Sequence, residues 1–119
     1  MDKEELRLAL TKFAGTVNYY RHWTRAFHYT DGVAFLADNA GAYWLLDHIA
    51  AMQKRARRDS QLREFQAWKL TVNGTRGVIA CLRDKDDEAF RDELPFTDFP
   101  LAEITLYLQD GVLYLPSEG

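Results

Sequence analysis

Residues 2–13 repeat apolar side chains at the spacing of an amphipathic helix. Leu6, Leu10 and Phe13 fall on one stripe, the pattern of a helix that buries one face. Asp2 precedes the stripe and can accept hydrogen bonds from the free amides of the first turn. The pattern therefore predicts an N-terminal helix that packs against the rest of the chain.

A second helical pattern follows in the middle of the chain. Thr30 or Asp31 can cap its start, and Gly41 is expected to kink or break it after about Asn39. Beyond this glycine the apolar positions form one continuous stripe, made of Ala42, Leu45, Leu46, Ile49, Met52 and Ala56. We therefore expect a main helix over about residues 42–57 that buries this stripe.

From residue 64 onward the pattern changes from helical to alternating. Residues 67–72 alternate between large apolar and small or polar side chains, which indicates a half-buried strand. Asn73-Gly74 is a strong signal for a tight hairpin turn. Residues 78–82 are apolar on both faces, so we expect the returning strand to lie inside the sheet.

An acidic segment at residues 84–88 separates this hairpin from a third strand. The segment lacks the glycine and the final carboxylate of a calcium-binding loop, so we expect a solvated loop. The third strand is expected over residues 90–96. Pro95 and Pro100 confine it to an edge of the sheet or end it early.

The closing hairpin is the clearest strand signal. A two-residue loop at Asp110-Gly111 pairs the flanking residues, so that four leucines share one face and two tyrosines share the other. These pairs are Leu108 with Leu113, Leu106 with Leu115, and Tyr107 with Tyr114. A leucine face must be covered, and the two predicted helices are the available cover.

Residues 17–30 are the densest aromatic stretch of the chain. Aromatic residues favour strands, and the Thr24-Arg25 pair can turn the chain, so the pattern predicts a short hairpin. Side chains alternate between the two faces of a strand. One face would carry Tyr19, Arg21 and Trp23, and the other Tyr20 and His22.

Together these elements predict an α+β fold in a single domain over residues 1–119. The expected architecture is a mostly antiparallel sheet of about five to seven short strands. The N-terminal helix and one longer, kinked helix pack on one face of this sheet. No internal repeat or linker divides the chain.

Composition and charge narrow the class of protein further. The chain of 119 residues is 47% hydrophobic and carries a net charge of −3, as in an ordinary globular domain. Residues 1–60 carry a net charge of +2 and residues 61–119 a net charge of −5. No apolar run has the length of a membrane span, and the acidic N-terminus is unlike a secretory signal. We therefore expect a cytoplasmic protein without a membrane partner.

The histidines offer little for metal binding or catalysis. His22, His28 and His48 form no pair at the spacing that places two ligands on one helix or strand face. The predicted hairpin would bring His22 and His28 together near Asp31, a cluster suited to acid–base or metal chemistry. Hydrogen-bonded structural histidines are the alternative.

Other reactive groups are equally scarce. Cys81 lies within an apolar strand, where a buried thiol is inert. The glycines are scattered over turns and form no phosphate-binding loop. The sequence therefore predicts no catalytic residue, no metal and no cofactor.

Aromatic and arginine side chains together are typical of contact surfaces. The candidate binding residues are Tyr19, Tyr20, Arg21, His22, Trp23, His28, Asp31, Tyr43 and Asp47. The alternative is that these aromatic side chains form part of the core and expose only their polar tips.

Four segments carry distinctive motifs: YYRH at 19–22, YTDGV at 29–33, GAYWLLD at 41–47 and YLQDGVLYLPS at 107–117. By these motifs the chain resembles a small family of bacterial domains with no assigned activity, often encoded on plasmids and phages. The resemblance implies a small cytosolic accessory protein of mobile-element origin. It supplies no catalytic residue.

Three hypotheses of function follow. The first is a non-enzymatic binding or inhibitor module that contacts a protein partner or a second copy of itself. The second is a small-molecule or hydrolytic site around His22, His28, Asp31 and Asp47. The third is nucleic-acid binding through the basic residues 54–58, which the negative net charge disfavours.

Overall fold

Both predicted helix starts form at the expected capping residues. In the computed structural model, which describes residues 1–119, α1 (Lys3–Thr11) is capped by the Asp2 carboxylate. The next helix, α2 (Asp31–Ala40), is capped by the Thr30 hydroxyl. Each cap accepts a hydrogen bond from an amide that the first helical turn leaves free.

The expected main helix is divided into shorter pieces. Gly41 ends α2 in a left-handed conformation with φ of 60°, as expected of a glycine at this position. The pieces that follow are α3 (Tyr43–Ala51), α4 (Gln53–Ala56) and α5 (Ser60–Glu64). The prediction of a continuous helix over residues 42–57 was therefore wrong. The helix is interrupted at Met52, where the Gln53 side chain donates a hydrogen bond to the Ile49 carbonyl. The prediction missed α5, which begins after Asp59, a capping residue that accepts from the Gln61 and Leu62 amides.

The strands form one seven-stranded sheet. They are β1 (Tyr19–Arg21), β2 (His28–Thr30), β3 (Gln66–Asn73), β4 (Arg76–Asp84), β5 (Asp87–Leu94), β6 (Glu103–Gln109) and β7 (Val112–Tyr114). Their order across the sheet is β1-β2-β7-β6-β3-β4-β5. Neighbouring strands are antiparallel except β2 and β7, which are parallel. The predicted α+β class with a mostly antiparallel sheet is confirmed.

The closing hairpin has the predicted register. Asp110 and Gly111 both have positive φ, as a tight turn of type I′ requires, and the residues of β6 and β7 pair as expected. Leu115 lies beyond the end of β7 and does not pair with Leu106, although both are buried in the core.

The turn between β3 and β4 is shifted by one residue from the predicted Asn73-Gly74. Asn73 pairs with Arg76, so the loop is Gly74-Thr75, and only its first residue has positive φ. This is the φ pattern of a type II′ turn. The observed register places Ile79 opposite Leu70, whereas the predicted loop would place Gly77 there. Packing of large side chains in the core therefore favours the observed turn.

The acidic segment at residues 84–88 is exposed to solvent, as expected, but it forms a tight turn and the start of β5 instead of a loop. Asp84 pairs with Asp87, and β5 starts at Asp87 instead of at residue 90. The third strand does lie at an edge of the sheet, as predicted.

The core lies between the helices and one face of the sheet. Leu46 is fully buried, and the Gln53 and Gln66 side chains, also buried, exchange two hydrogen bonds of 2.9 Å. The predicted packing of the helix stripe on the leucine face is confirmed by one buried cluster that includes Leu45, Leu46, Ile49, Leu106, Leu108, Leu113 and Leu115. None of the helices combines the length and apolarity needed to cross a bilayer.

Candidate protein-binding surface

The aromatic segment folds as the predicted hairpin, with a longer turn than expected. Arg21 pairs with His28, the register that a Thr24-Arg25 turn implies, but the strands end at this pair. The His22 carbonyl accepts a hydrogen bond from the Arg25 amide at 2.8 Å, and Arg25 has φ of 66°. A two-residue turn of type I′ would need positive φ at Thr24 as well, which a β-branched residue strongly disfavours.

His22 is buried beneath this turn and connects it to α3. Its Nε2 atom lies 2.8 Å from Asp47 Oδ1, and its Nδ1 atom accepts from the Thr24 amide at 3.2 Å. Since a backbone amide can only donate, Nδ1 is the acceptor in this bond and carries no proton. The ring proton is therefore on Nε2, which donates to Asp47. The same Asp47 oxygen accepts the indole N–H of Trp23 at 2.8 Å. Asp47 thus fixes two side chains of the hairpin.

Asp31 fixes the segment that leads into β1. One carboxylate oxygen accepts from the backbone amides of Val17 and Asn18, at 2.9 and 3.1 Å, and the other from the Tyr20 hydroxyl at 3.0 Å. These hydrogen bonds, the Val17 amide first, hold the pKa of Asp31 well below its usual range. The carboxylate is therefore ionised at neutral pH.

Three tyrosines lie side by side next to these carboxylates. The rings of Tyr20 and Tyr29 stack with their centroids 5.6 Å apart. The Tyr43 hydroxyl donates to Asp38 at 2.6 Å, and this hydrogen bond, together with burial, raises the pKa of Tyr43 to about 12. Burial, and to a lesser extent the negative charge of Asp38, raises the pKa of Tyr29. All three hydroxyls therefore stay protonated and polar at neutral pH.

These groups form one continuous surface. We call it the aromatic surface, and define it as Tyr20, Trp23, Tyr43, Asp31, Asp38 and Asp47. Tyr43 and Asp47 lie one turn apart on α3, which joins the tyrosines to the hairpin turn.

The aromatic side chains of this surface are exposed. The exposed fraction is 78% for Trp23, 44% for Tyr43 and 40% for Tyr20. No arginine or lysine pairs with the three carboxylates. The surface combines exposed aromatic rings with negative charge.

Comparison with known proteins places the whole chain in one family. A family model described as a family of unknown function matches residues 4–119. The chain belongs to DUF6876. No curated protein and no solved structure matches the chain. Membership of DUF6876 therefore confirms the resemblance to a family without an assigned activity and assigns no catalytic or binding residue.

The DUF6876 fold brings together most of the candidate binding residues. Tyr20, His22, Trp23, Asp31, Tyr43 and Asp47 lie on or directly beneath the aromatic surface. Tyr19, Arg21 and His28 lie on the other face of the hairpin, because they alternate along the strands with Tyr20 and Tyr29. The prediction that Trp23 shares this face was wrong, because β1 ends at Arg21 and the Trp23 indole donates to Asp47 beside His22.

The expected cluster of His22, His28 and Asp31 does not form. His22 bonds to Asp47 and Thr24, whereas Asp31 bonds to residues 16–20. The two histidines lie on opposite faces because His28 pairs with Arg21, the chain neighbour of His22, and successive side chains of a strand alternate between its faces. The sequence analysis named Thr24 only as a turn residue and did not name Asp38, and neither residue lies in a motif that indicates a binding role.

The basic residues at the end of the helical region point in several directions. Arg55 lies over the ring of Phe90, 4.1 Å from its centroid, and pairs with Asp92. Arg57 donates to the Ala26 carbonyl at 3.3 Å. Two arginines of the run 54–58 are thus engaged within the chain.

The larger surface cavities lie away from His22 and Asp47. One of about 490 Å³ lies between α1 and α2 and is lined by Leu8, Phe13 and Phe35 among others. One of about 480 Å³ lies against Tyr19 and Tyr114, and another of about 450 Å³ lies against Phe65 and Tyr107. The aromatic surface is thus an open face of the molecule, suited to contact with another macromolecule.

Proposed function

We propose that this chain is a non-enzymatic protein-binding module whose partner docks on the aromatic surface. The observation that carries the proposal is Trp23, which is 78% exposed although its indole N–H is anchored on Asp47. Large aromatic side chains dominate the binding energy of protein interfaces. A ring that is already held in place loses little conformational entropy when it binds.

The charge of the surface supports a partner that is positively charged. Asp38 and Asp47 are exposed and pair with no lysine or arginine of the chain. A complementary positive patch would speed association and exclude partners of the wrong charge.

We further propose that the module acts in the bacterial cytoplasm as an inhibitor or sequestering protein encoded by a plasmid or phage. The resemblance of the motifs at residues 19–33 and 41–47 supports this setting. A stoichiometric inhibitor needs a rigid contact surface and no reacting group, which fits the anchored side chains around Asp47 and Asp31.

Affinity capture from the cells that encode the protein tests the docking surface. The parent chain, Trp23→Ser and Phe96→Ser are compared, since Phe96 is similarly exposed, at 71%, and lies outside the aromatic surface. We expect the parent and Phe96→Ser to retain the same partner. This partner should bind Trp23→Ser about 30-fold more weakly than the parent, because the substitution removes an interface anchor. Equal retention by Trp23→Ser would contradict the proposal.

A hydrolytic function is the second candidate, and one observation favours it. The Thr24 hydroxyl lies 2.8 Å from His22 Nδ1, while His22 Nε2 bonds to Asp47, the order of nucleophile, base and orienting carboxylate in hydrolases. Hydrolysis of p-nitrophenyl acetate by the parent that is lost in Thr24→Val would support this candidate. Equal rates for the two proteins would exclude Thr24 as the nucleophile.

A further inference from the structure

We propose that the partner binds as an extended, positively charged segment that pairs with β1 and adds an eighth strand to the sheet. The inference rests on the proposed function and specifies the form of the ligand. It follows from the different protection of the two sheet edges, from the unpaired backbone groups of β1 and from the negative charge next to β1.

The two edges of the sheet differ in how they are protected. At the β5 edge, charged side chains occur along an eight-residue strand that is followed directly by Pro95, and both features are common defences against the addition of another strand. At the other edge, the three residues of β1 are exposed, and only Arg21 among them is charged. The β1 edge is therefore the more accessible one.

The backbone of β1 has free hydrogen-bonding groups on its outer side. The His22 amide donates to the Phe27 carbonyl. The His28 amide points away from β1 and donates to the Gly111 carbonyl. Because bonded pairs alternate along an antiparallel ladder, Tyr20 is bonded to β2, and Tyr19 and Arg21 direct their N–H and C=O groups outward. An added strand would pair with these groups, the mode called β-augmentation.

The side chains of such a strand would meet different charges on its two faces. On the face shared with Tyr20, they approach the aromatic surface and its unpaired carboxylates, where a lysine or arginine gains ion-pair and cation–π contacts. On the opposite face they meet Arg21, which disfavours a second cation. The ligand is therefore an extended segment with lysine or arginine at alternate positions.

A second copy of the chain fits this edge poorly. Antiparallel pairing of two β1 strands continues one sheet and places both helix faces on the same side. The carboxylates Asp31 and Asp47 of one copy would then lie on the same side as those of the other, and like charges brought together oppose pairing.

The first experiment titrates the isotope-labelled chain with a nine-residue peptide of alternating arginine and threonine, followed by NMR. We expect shifts at the Tyr19 and Arg21 amides and at the Trp23 indole N–H. A peptide with the same composition but with all its arginines in one block is the control for charge alone. Equal binding of the two peptides, or no shift at Tyr19 and Arg21, would overturn the proposal.

The second experiment separates strand pairing from electrostatic attraction. Arg21→Pro removes the outward N–H while leaving the Tyr20 bonds to β2, and Arg21→Gln removes the charge alone. If charge alone attracts the peptide, both variants bind at least as tightly as the parent. If β1 pairing is required, Arg21→Pro binds roughly fivefold more weakly than Arg21→Gln, the effect of one lost hydrogen bond.

Equal affinity of the two Arg21 variants would overturn strand pairing. Binding that then still depends on Trp23 would leave the proposed docking surface in place, so the two failures are distinguishable. Unchanged amide shifts in β6 and β7 of Arg21→Pro serve as the control that the sheet remains folded. If the parent sediments as a dimer and Arg21→Pro sediments as a monomer, the β1 edge pairs with a second copy of the chain. This result would overturn the proposal of a peptide ligand.

Discussion

Asp31 and Asp47 each hold one end of the β1–β2 hairpin by accepting several hydrogen bonds. Asp47 accepts from His22 and Trp23 at the turn, and Asp31 accepts from the amides that precede β1. The sequence identified both aspartates as candidate binding residues. It could not identify their partners, because the bond between His22 and Asp47 joins residues that are 25 positions apart.

Replacing Asp31 by asparagine tests how much its charge contributes. Hydrogen bonds from the Val17 and Asn18 amides lower the pKa of Asp31 from its ordinary value of 3.8. Its stabilisation is therefore complete above about pH 4 and is lost as the pH falls towards the lowered pKa. We expect Asp31→Asn to lower the melting temperature at pH 7, and the difference from the parent to narrow only below about pH 4.

Thermal unfolding followed by circular dichroism between pH 3 and pH 7 measures this difference. Asp86→Asn is the control, because Asp86 is exposed in the turn between β4 and β5. A difference for Asp31→Asn that widens on acidification would show that its pKa is not lowered.

At the scale of elements, α3 and the β6–β7 hairpin contribute leucines to the same buried cluster. Leu46 is fully buried in α3, so Leu46→Ala should lower the free energy of unfolding by about 2–5 kcal/mol through lost burial and a residual cavity. Leu8→Ala, the same change at a position that is 49% exposed, should cost less than about 1 kcal/mol. Urea unfolding measures both. Equal costs would show that the stripe is not in the core.

The C-terminal 3₁₀ helix (Pro116–Glu118) connects the end of β7 to the start of α2 through hydrogen bonds of Glu118. Glu118 accepts from the Thr30 hydroxyl at 2.7 Å, from the Leu115 amide at 2.9 Å and from the Gly32 amide at 3.2 Å. A side chain at position 32 would lie within 2.7 Å of Glu118, so the glycine permits this close approach.

Removing the Glu118 carboxylate should therefore loosen this junction. Glu118→Ala leaves the Gly32 and Leu115 amides without their acceptor, and we expect a loss of about 1–3 kcal/mol in the free energy of unfolding. Glu93→Ala, at an exposed position of β5, should change it by less than about 0.5 kcal/mol. Chemical denaturation of both variants decides, and an unchanged midpoint for Glu118→Ala would contradict the assigned role.

At the scale of the whole molecule, the β1–β2 hairpin is joined to the rest through α2, β7 and the bond from His22 to Asp47. We expect residues 1–119 to unfold in one cooperative step, since one buried cluster includes Phe27 of the hairpin turn and residues of β3, β4 and β6. Tryptophan fluorescence and circular dichroism should give the same midpoint. An earlier transition seen in Trp23 fluorescence, and absent in Trp23→Phe, would show that the hairpin opens separately.

The sequence by itself determined the elements whose signal is local. The helix caps at Asp2 and Thr30, the break at Gly41 and the turn at Asp110-Gly111 follow from the chemistry of a few neighbouring residues. The tertiary structure decided what depends on distant packing. Packing of Ile79 against Leu70 shifted the β3–β4 turn, and the sequence pattern gave no sign of the parallel pairing of β2 with β7.

The binding surface shows the same division. Its aromatic residues stand out in the sequence because they are concentrated in residues 17–30. Their common location with Asp38 and Asp47 required the fold, since hydrogen bonds between side chains on different elements depend on how α2 and α3 dock on the hairpin. The face on which His28 lies, in contrast, follows from its pairing with Arg21, a register that the predicted Thr24-Arg25 turn already implies.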